Sequence, residues 1–138
     1  MPCPLRAPNE VEGSGMEESD ELRSARSMRR RILGDEYVGG MTVDPDPVAA
    51  EFQDYATSMA WGVWAREGAL SVRDRSLLAL AMTAALGRME EFRLHASSTA
   101  QTGVTDDELD EPQFQIAAYC EAPAGMAARR AIRAVRAE

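Results

Sequence analysis

Apolar positions recur along this chain at helical spacing, and no window shows the alternation of an exposed strand. The first helix is predicted from Ser19, an N-cap residue, with Asp20 and Glu21 in its first turn. It runs through Arg29-Arg30-Arg31 to Gly34, a typical stop residue. Gly39 to Pro47 reads as a loop. Val48, Phe52, Tyr55 and Met59 then step by four, three and four, one stripe of a helix closed by Trp61 and Trp64 before Gly68.

Ser71-Val72-Arg73-Asp74 is a capping box with Asp in place of the usual Glu. Behind it Leu77, Leu78, Leu80, Ala81, Met82, Ala84 and Ala85 make a segment apolar almost all round, which predicts a central helix that ends or kinks at Gly87. A helix carrying Glu91 and His95 follows and stops at Gly103. Thr105 to Glu108 is a second capping box, and its helix meets Pro112, which kinks or breaks it before Ala117-Ala118-Tyr119-Cys120. After Pro123, Ala128, Ile132 and Val135 fall on one side of a last helix, with Arg129, Arg130, Arg133 and Arg136 mostly on the other. The pattern predicts an all-α bundle of six to seven helices over residues 19–138. Residues 1–18, rich in Pro, Gly, Glu and Ser, are expected to be a disordered tail.

Composition narrows the function classes. A length of 138 residues supports one domain with its own core. The net charge of −8 disfavours general nucleic-acid binding, which needs a basic surface. The Arg29–Arg31 run, late in a helix, complements the helix dipole. All 15 basic residues are Arg, so no lysine amine exists for Schiff-base chemistry. Cys3 and Cys120 fit no metal or redox spacing, and with no signal peptide they point to a reducing, cytoplasmic setting. No apolar run reaches membrane-spanning length. One His and no Cys cluster predict no zinc site, and no calcium-loop pattern is present. Cys120, at an apolar helix end, reads as a small buried hydrophobe.

The lone histidine is the first candidate for chemistry. Glu91 and His95 are four apart and share a helix face, while Arg93 points elsewhere. His is the side chain whose ordinary titration lies near neutral pH, and a neighbouring carboxylate tunes its basicity. On spacing alone, a surface contact is the commoner outcome for such a pair.

Several landmarks recur together in one known family. They are Arg29-Arg30 with Leu33-Gly34-Asp35; Glu51-Phe52; Ala60-Trp61-Gly62 and Trp64; Arg75-Ser76-Leu77; Glu91 with His95; Gly103-Val104-Thr105 with Glu108 and Glu111; and Tyr119-Cys120 with Pro123. In this order the chain, from about Ala25 to Val135, resembles the carboxymuconolactone decarboxylases of the alkylhydroperoxidase D-like superfamily. The resemblance implies an all-helical subunit and a homo-oligomer, a trimer or hexamer. It implies decarboxylation of 4-carboxymuconolactone to the enol-lactone of β-ketoadipate, without a cofactor, in protocatechuate breakdown. The peroxidase branch carries a Cys-x-x-Cys pair before its histidine. Here Arg88 and Glu91 stand at those positions, and without a dithiol no disulfide cycle can run.

The resemblance gives His95 the part of proton donor, with Glu91 orienting it or acting beside it. Arg75 becomes the candidate carboxylate clamp, since guanidinium binds carboxylate in a bidentate fork; pairing with a structural acid such as Asp74 or Glu51 is the competing reading. Trp61 and Tyr119 are candidate substrate-binding donors through N–H and O–H, or else core aromatics. Arg93, where Lys is usual, is a further binding candidate. Met59 stands where a His commonly precedes Ala-Trp-Gly, and Glu121 replaces the Gly that usually follows Tyr-Cys. These departures bear on the substrate and keep two alternatives open: an enzyme for another small lactone or acid, and a non-catalytic oligomeric binding protein. Ala and Gly along the last two helices, with Trp side chains that could be exposed, fit either a subunit interface or internal packing.

Overall fold

The computed structural model describes residues 18–41 and 45–138. The tail expected over residues 1–18, with Cys3, lies outside the described residues except for Glu18, as do residues 42–44 of the expected loop.

Where the local signals were strong, the helices begin and end on them. Ser19 caps α1 (Asp20–Leu33), its hydroxyl accepting from the Leu22 N–H, and Gly34 closes it. A short helix not anticipated from the sequence, α2 (Asp35–Gly39), follows. Asp46 caps α3 (Pro47–Ala65), which has Pro47 at its first position. Both halves of the Ser71/Asp74 capping box form at the start of α4 (Val72–Ala85). Beyond Gly87, whose φ of +69° suits glycine, come α5 (Met89–Ser97) and the single turn α6 (Thr99–Thr102). The Thr105/Glu108 box opens α7 (Asp106–Asp110). Pro112 does break that helix, and α8 (Pro112–Tyr119) starts afresh before α9 (Ala122–Arg136). Among the described residues there is no strand, and the six or seven helices expected become nine because α2 and α6 are short extra turns and Pro112 splits one helix.

Two apolar clusters hold the helices together. Leu80, Ala84, Phe92, Ala96, Ile116 and Ile132 centre the larger one, contributed by α4, α5, α8 and α9. Ala25, Ile32, Trp61 and Trp64 form the smaller one between α1 and α3, and Val72 and Ala79 of α4 pack against it. The α8/α9 contact is close because Gly125 has no side chain: a Cβ there would lie 2.5 Å from the Ala117 Cβ. At this position the small residues of the last helices serve internal packing.

Three expectations are corrected. The stripe Val48, Phe52, Tyr55 and Met59 is exposed, with Phe52 66% accessible, and α3 packs instead through Thr57, Trp61 and Trp64. The two tryptophans, candidates for exposure, are buried at 9% and 7%. Their large faces outweigh a stripe of mid-sized residues once α1 supplies a partner. Helix α4 is central on one side only: Leu80 and Ala84 are buried, while Leu78, Met82 and Leu86 reach solvent. No helix among the described residues is long and apolar enough to cross a membrane.

Candidate active site

Three helices meet where the smaller cluster joins the larger. From α3, Trp61 and Trp64 are three apart and turn to one side, with ring centroids 5.7 Å apart. From α5, His95 lies over them. Its imidazole is stacked on Trp64 at 5.6 Å with planes 12° apart, and stands 6.1 Å from Trp61 at 43°. From α4, Arg75 lies on the face that also carries Val72 and Ala79, three residues before it and four after, and both pack on the tryptophan cluster.

The electrostatics follow from this packing. Burial against the indoles pushes the His95 pKa below its ordinary value of 6.5, and the negative charge of Glu91 only partly offsets this. At neutral pH the resting imidazole is therefore uncharged. Glu91, one turn earlier on α5, is solvent-exposed and acts on His95 through its field, with no hydrogen bond between them.

Arg75 is 9% exposed, and its guanidinium donates to the backbone carbonyl of Arg66 at 3.4 Å. Among the described residues it has no carboxylate partner. Asp74, one of the structural acids that could have held it, is engaged instead by the Ser71 cap and by Arg73. A buried guanidinium facing only a neutral carbonyl is costly without an anion.

The other sequence candidates lie elsewhere. Trp61 belongs to the aromatic wall. Arg93 points away from His95 and pairs with Glu138 at 3.2 Å. Tyr119 ends α8 and is 82% exposed, on a helix that packs on α9, α4 and α7. Neither Arg93 nor Tyr119 makes a ring contact or a hydrogen bond with His95, Trp61, Trp64 or Arg75. The structure adds Trp64, whose stacking partner lies 31 residues away in the chain, beyond any local spacing signal. Cys120 is partly buried against the larger core. Among the described residues no three or more His, Cys, Asp or Glu side chains come together as a metal site.

A neutral imidazole stacked on an indole can exchange a proton, and a guanidinium without a carboxylate partner can bind an anion. The sequence profile of the carboxymuconolactone decarboxylase family matches residues 50–134, the stretch that supplies every one of these residues. The chain belongs to the carboxymuconolactone decarboxylase family. It is similar to a 4-carboxymuconolactone decarboxylase of Acinetobacter baylyi, 33% identical over 114 residues, covering 82% of this chain and 84% of the relative. It is also similar to a nitrosuccinic acid decarboxylase of Metarhizium robertsii, 35% identical over 97 residues, covering 70% and 67% respectively. Both relatives are decarboxylases, and the chain is a decarboxylase-like enzyme of this family.

Two departures from the family pattern acquire a physical reading. Met59, the position commonly held by His, is 63% exposed and two residues before Trp61, on the opposite side of α3 from the imidazole. A histidine there would not touch His95 within one chain. Glu121 is exposed and has φ 70° and ψ 153°, a conformation that belongs almost entirely to glycine. The usual Gly at this position is thus explained by backbone geometry rather than by the pocket.

Proposed function

We propose that this protein decarboxylates a small carboxylated lactone, with 4-carboxymuconolactone as the first choice, using no cofactor. The observations that carry this reading are the neutral His95 held on Trp64 and a buried Arg75 that has no carboxylate partner among the described residues.

The chemistry asks little more of the protein. The bond from the ring to the departing carboxylate breaks, and its electron pair runs through the ring alkene to the lactone carbonyl oxygen. CO2 leaves and a furanolate-like anion remains, so the substrate is its own electron sink. A proton must then reach a ring carbon. Neutral imidazole is a poor acid, but the negative charge of the bound substrate, added to that of Glu91, raises the His95 pKa and draws a proton onto the ring. The imidazolium that forms lies against the Trp64 face, where the π-system stabilises a cation. Delivering that proton to carbon returns His95 to its resting state. A well-placed general acid of this kind contributes on the order of 100- to 10,000-fold.

A second substrate is favoured by the relative that acts on nitrosuccinic acid. A nitro group, like a lactone carbonyl, takes the electron pair onto oxygen, so the same residues would serve. The test is purified protein incubated with each acid, following CO2 release together with loss of the lactone absorbance. Turnover of the lactone supports the first reading, and turnover of nitrosuccinate alone supports the second. The absence of CO2 from both would overturn the assignment. We further propose that the chain works as a homo-oligomer, a trimer or hexamer, because α3 and α4 leave large apolar side chains uncovered.

A further inference from the structure

The loop between α3 and α4 brings a second guanidinium to the carboxylate end of the site. A Cβ on Gly68 would stand 3.6 Å from the Arg66 Nη1 and 3.8 Å from the Arg75 Nη2. Both cations therefore approach one point, and Gly68 leaves the space around it open. The same Arg75 nitrogen donates to the Arg66 carbonyl, which fixes the fork of Arg75 relative to this loop. Neither guanidinium has a carboxylate partner among the described residues. Asp20 and Glu21 line the neighbouring cleft with Arg66, but Asp20 is held by Arg23 at 2.6 Å and Glu21 makes no ion pair with Arg66. Two positive charges this close, with no anion between them, repel each other. A single carboxylate with one oxygen on each guanidinium removes that repulsion and gains charge-assisted hydrogen bonds at both ends.

We propose that Arg66 is a specificity-determining residue, and that Arg66 and Arg75 together grip the carboxylate the substrate keeps rather than the one it loses. The proposal rests on the decarboxylase reading above. Its logic is differential binding. A departing carboxylate becomes neutral CO2, so a two-cation clamp on it would stabilise the ground state and be lost in the transition state. A clamp on the retained carboxylate binds ground and transition states alike. It anchors the molecule and leaves the departing carboxylate to the aromatic wall of Trp61 and Trp64, where its charge is poorly solvated.

The test uses Arg66→Ala, Arg66→Lys and Gly68→Leu in the full chain, with calorimetric titration of succinate and propionate as probes and with steady-state kinetics. Arg66 is exposed and its replacement leaves the core intact, which thermal melting checks. Loss of one charged contact should weaken succinate binding and raise KM by about 10- to 100-fold. Turnover at saturation should stay close to wild type. Lys should restore part of the binding, and Leu at position 68 should block it. Wild-type succinate and propionate affinities in Arg66→Ala would overturn the proposal, as would a fall in kcat with KM unchanged. Succinate binding that depends on Arg66, in a protein that releases no CO2, would support the two-arginine carboxylate grip and overturn the decarboxylase reading instead.

Discussion

The imidazole of His95 lies flat on the indole of Trp64, with ring centroids 5.6 Å apart and planes 12° apart. Trp64 is thus at once a core residue of the α1/α3 pair and the surface on which the proposed proton donor rests. Replacing it separates these roles. Trp64→Ala should cost about 3–5 kcal/mol of stability, as large-to-small changes of a buried tryptophan do. Trp64→Phe should cost much less. In NMR titration the His95 pKa should rise toward 6.5 in the Ala variant, because the desolvating wall is gone. A His95 that titrates identically in both variants would show that the stack does not set its protonation.

The depressed His95 pKa also makes stability depend on pH, in a definite direction. Below 6.5 the unfolded chain binds a proton at His95 that the folded chain resists. Stability from this group is complete above 6.5 and falls as pH drops from 6.5 through the folded value. His95→Gln should melt at a less pH-dependent temperature than wild type between pH 7.5 and 5.5. Glu108 acts in a separate and more acidic window. Its hydrogen bond from Arg73 holds its pKa at about 2, below an ordinary 4.5, so its contribution is lost only as pH falls from about 4.5 toward 2. Parallel melting curves for wild type and His95→Gln across the upper window would contradict the linkage.

Glu121 sits at φ 70° and ψ 153°, where a non-glycine residue costs on the order of 1–3 kcal/mol. Glu121→Gly should recover much of that cost and raise the melting temperature by several degrees. Glu121→Ala should not, since Ala keeps the Cβ. Because Glu121 is exposed, kcat should be unchanged in both. Equal gains from Gly and Ala would mean that removing the charge, not relieving the backbone, is what matters.

The exposed side chains of α3 predict assembly. Phe52 and Met59 lie on one uncovered face, 66% and 63% accessible. Wild-type protein should sediment as a trimer or hexamer, and Phe52→Glu combined with Met59→Glu should shift it to smaller species. A wild-type monomer at micromolar concentration would sink this expectation.

Most helix boundaries were legible in the sequence because their causes are local. Ser71 and Thr105 find their partners three residues on, and Pro112 breaks its own helix. The face through which α3 packs was not legible. Val48, Phe52, Tyr55 and Met59 have the right period, but period alone does not say whether a partner helix is present to cover them. Thr57, Trp61 and Trp64 pack instead because α1 and α4 meet them there. The pairing of Glu91 with His95 could be read from spacing. The stack on Trp64 joins α3 to α5, and the isolation of Arg75 from any carboxylate depends on where every acid in the fold ends up. Arg66 had no pattern to announce it, since a guanidinium on a loop gains meaning only from Gly68 and Arg75 beside it. Arg93 and Tyr119 rest on the resemblance alone: in this chain Arg93 pairs with Glu138 and Tyr119 is exposed.

The central claim is that His95 supplies the proton in a decarboxylation. The most direct measurement is the rate of CO2 release from 4-carboxymuconolactone by His95→Gln against wild type, with melting temperatures confirming that both are folded. The account predicts turnover lowered by about 100- to 10,000-fold in a variant that still binds the substrate. A folded His95→Gln that releases CO2 at a near wild-type rate would contradict it.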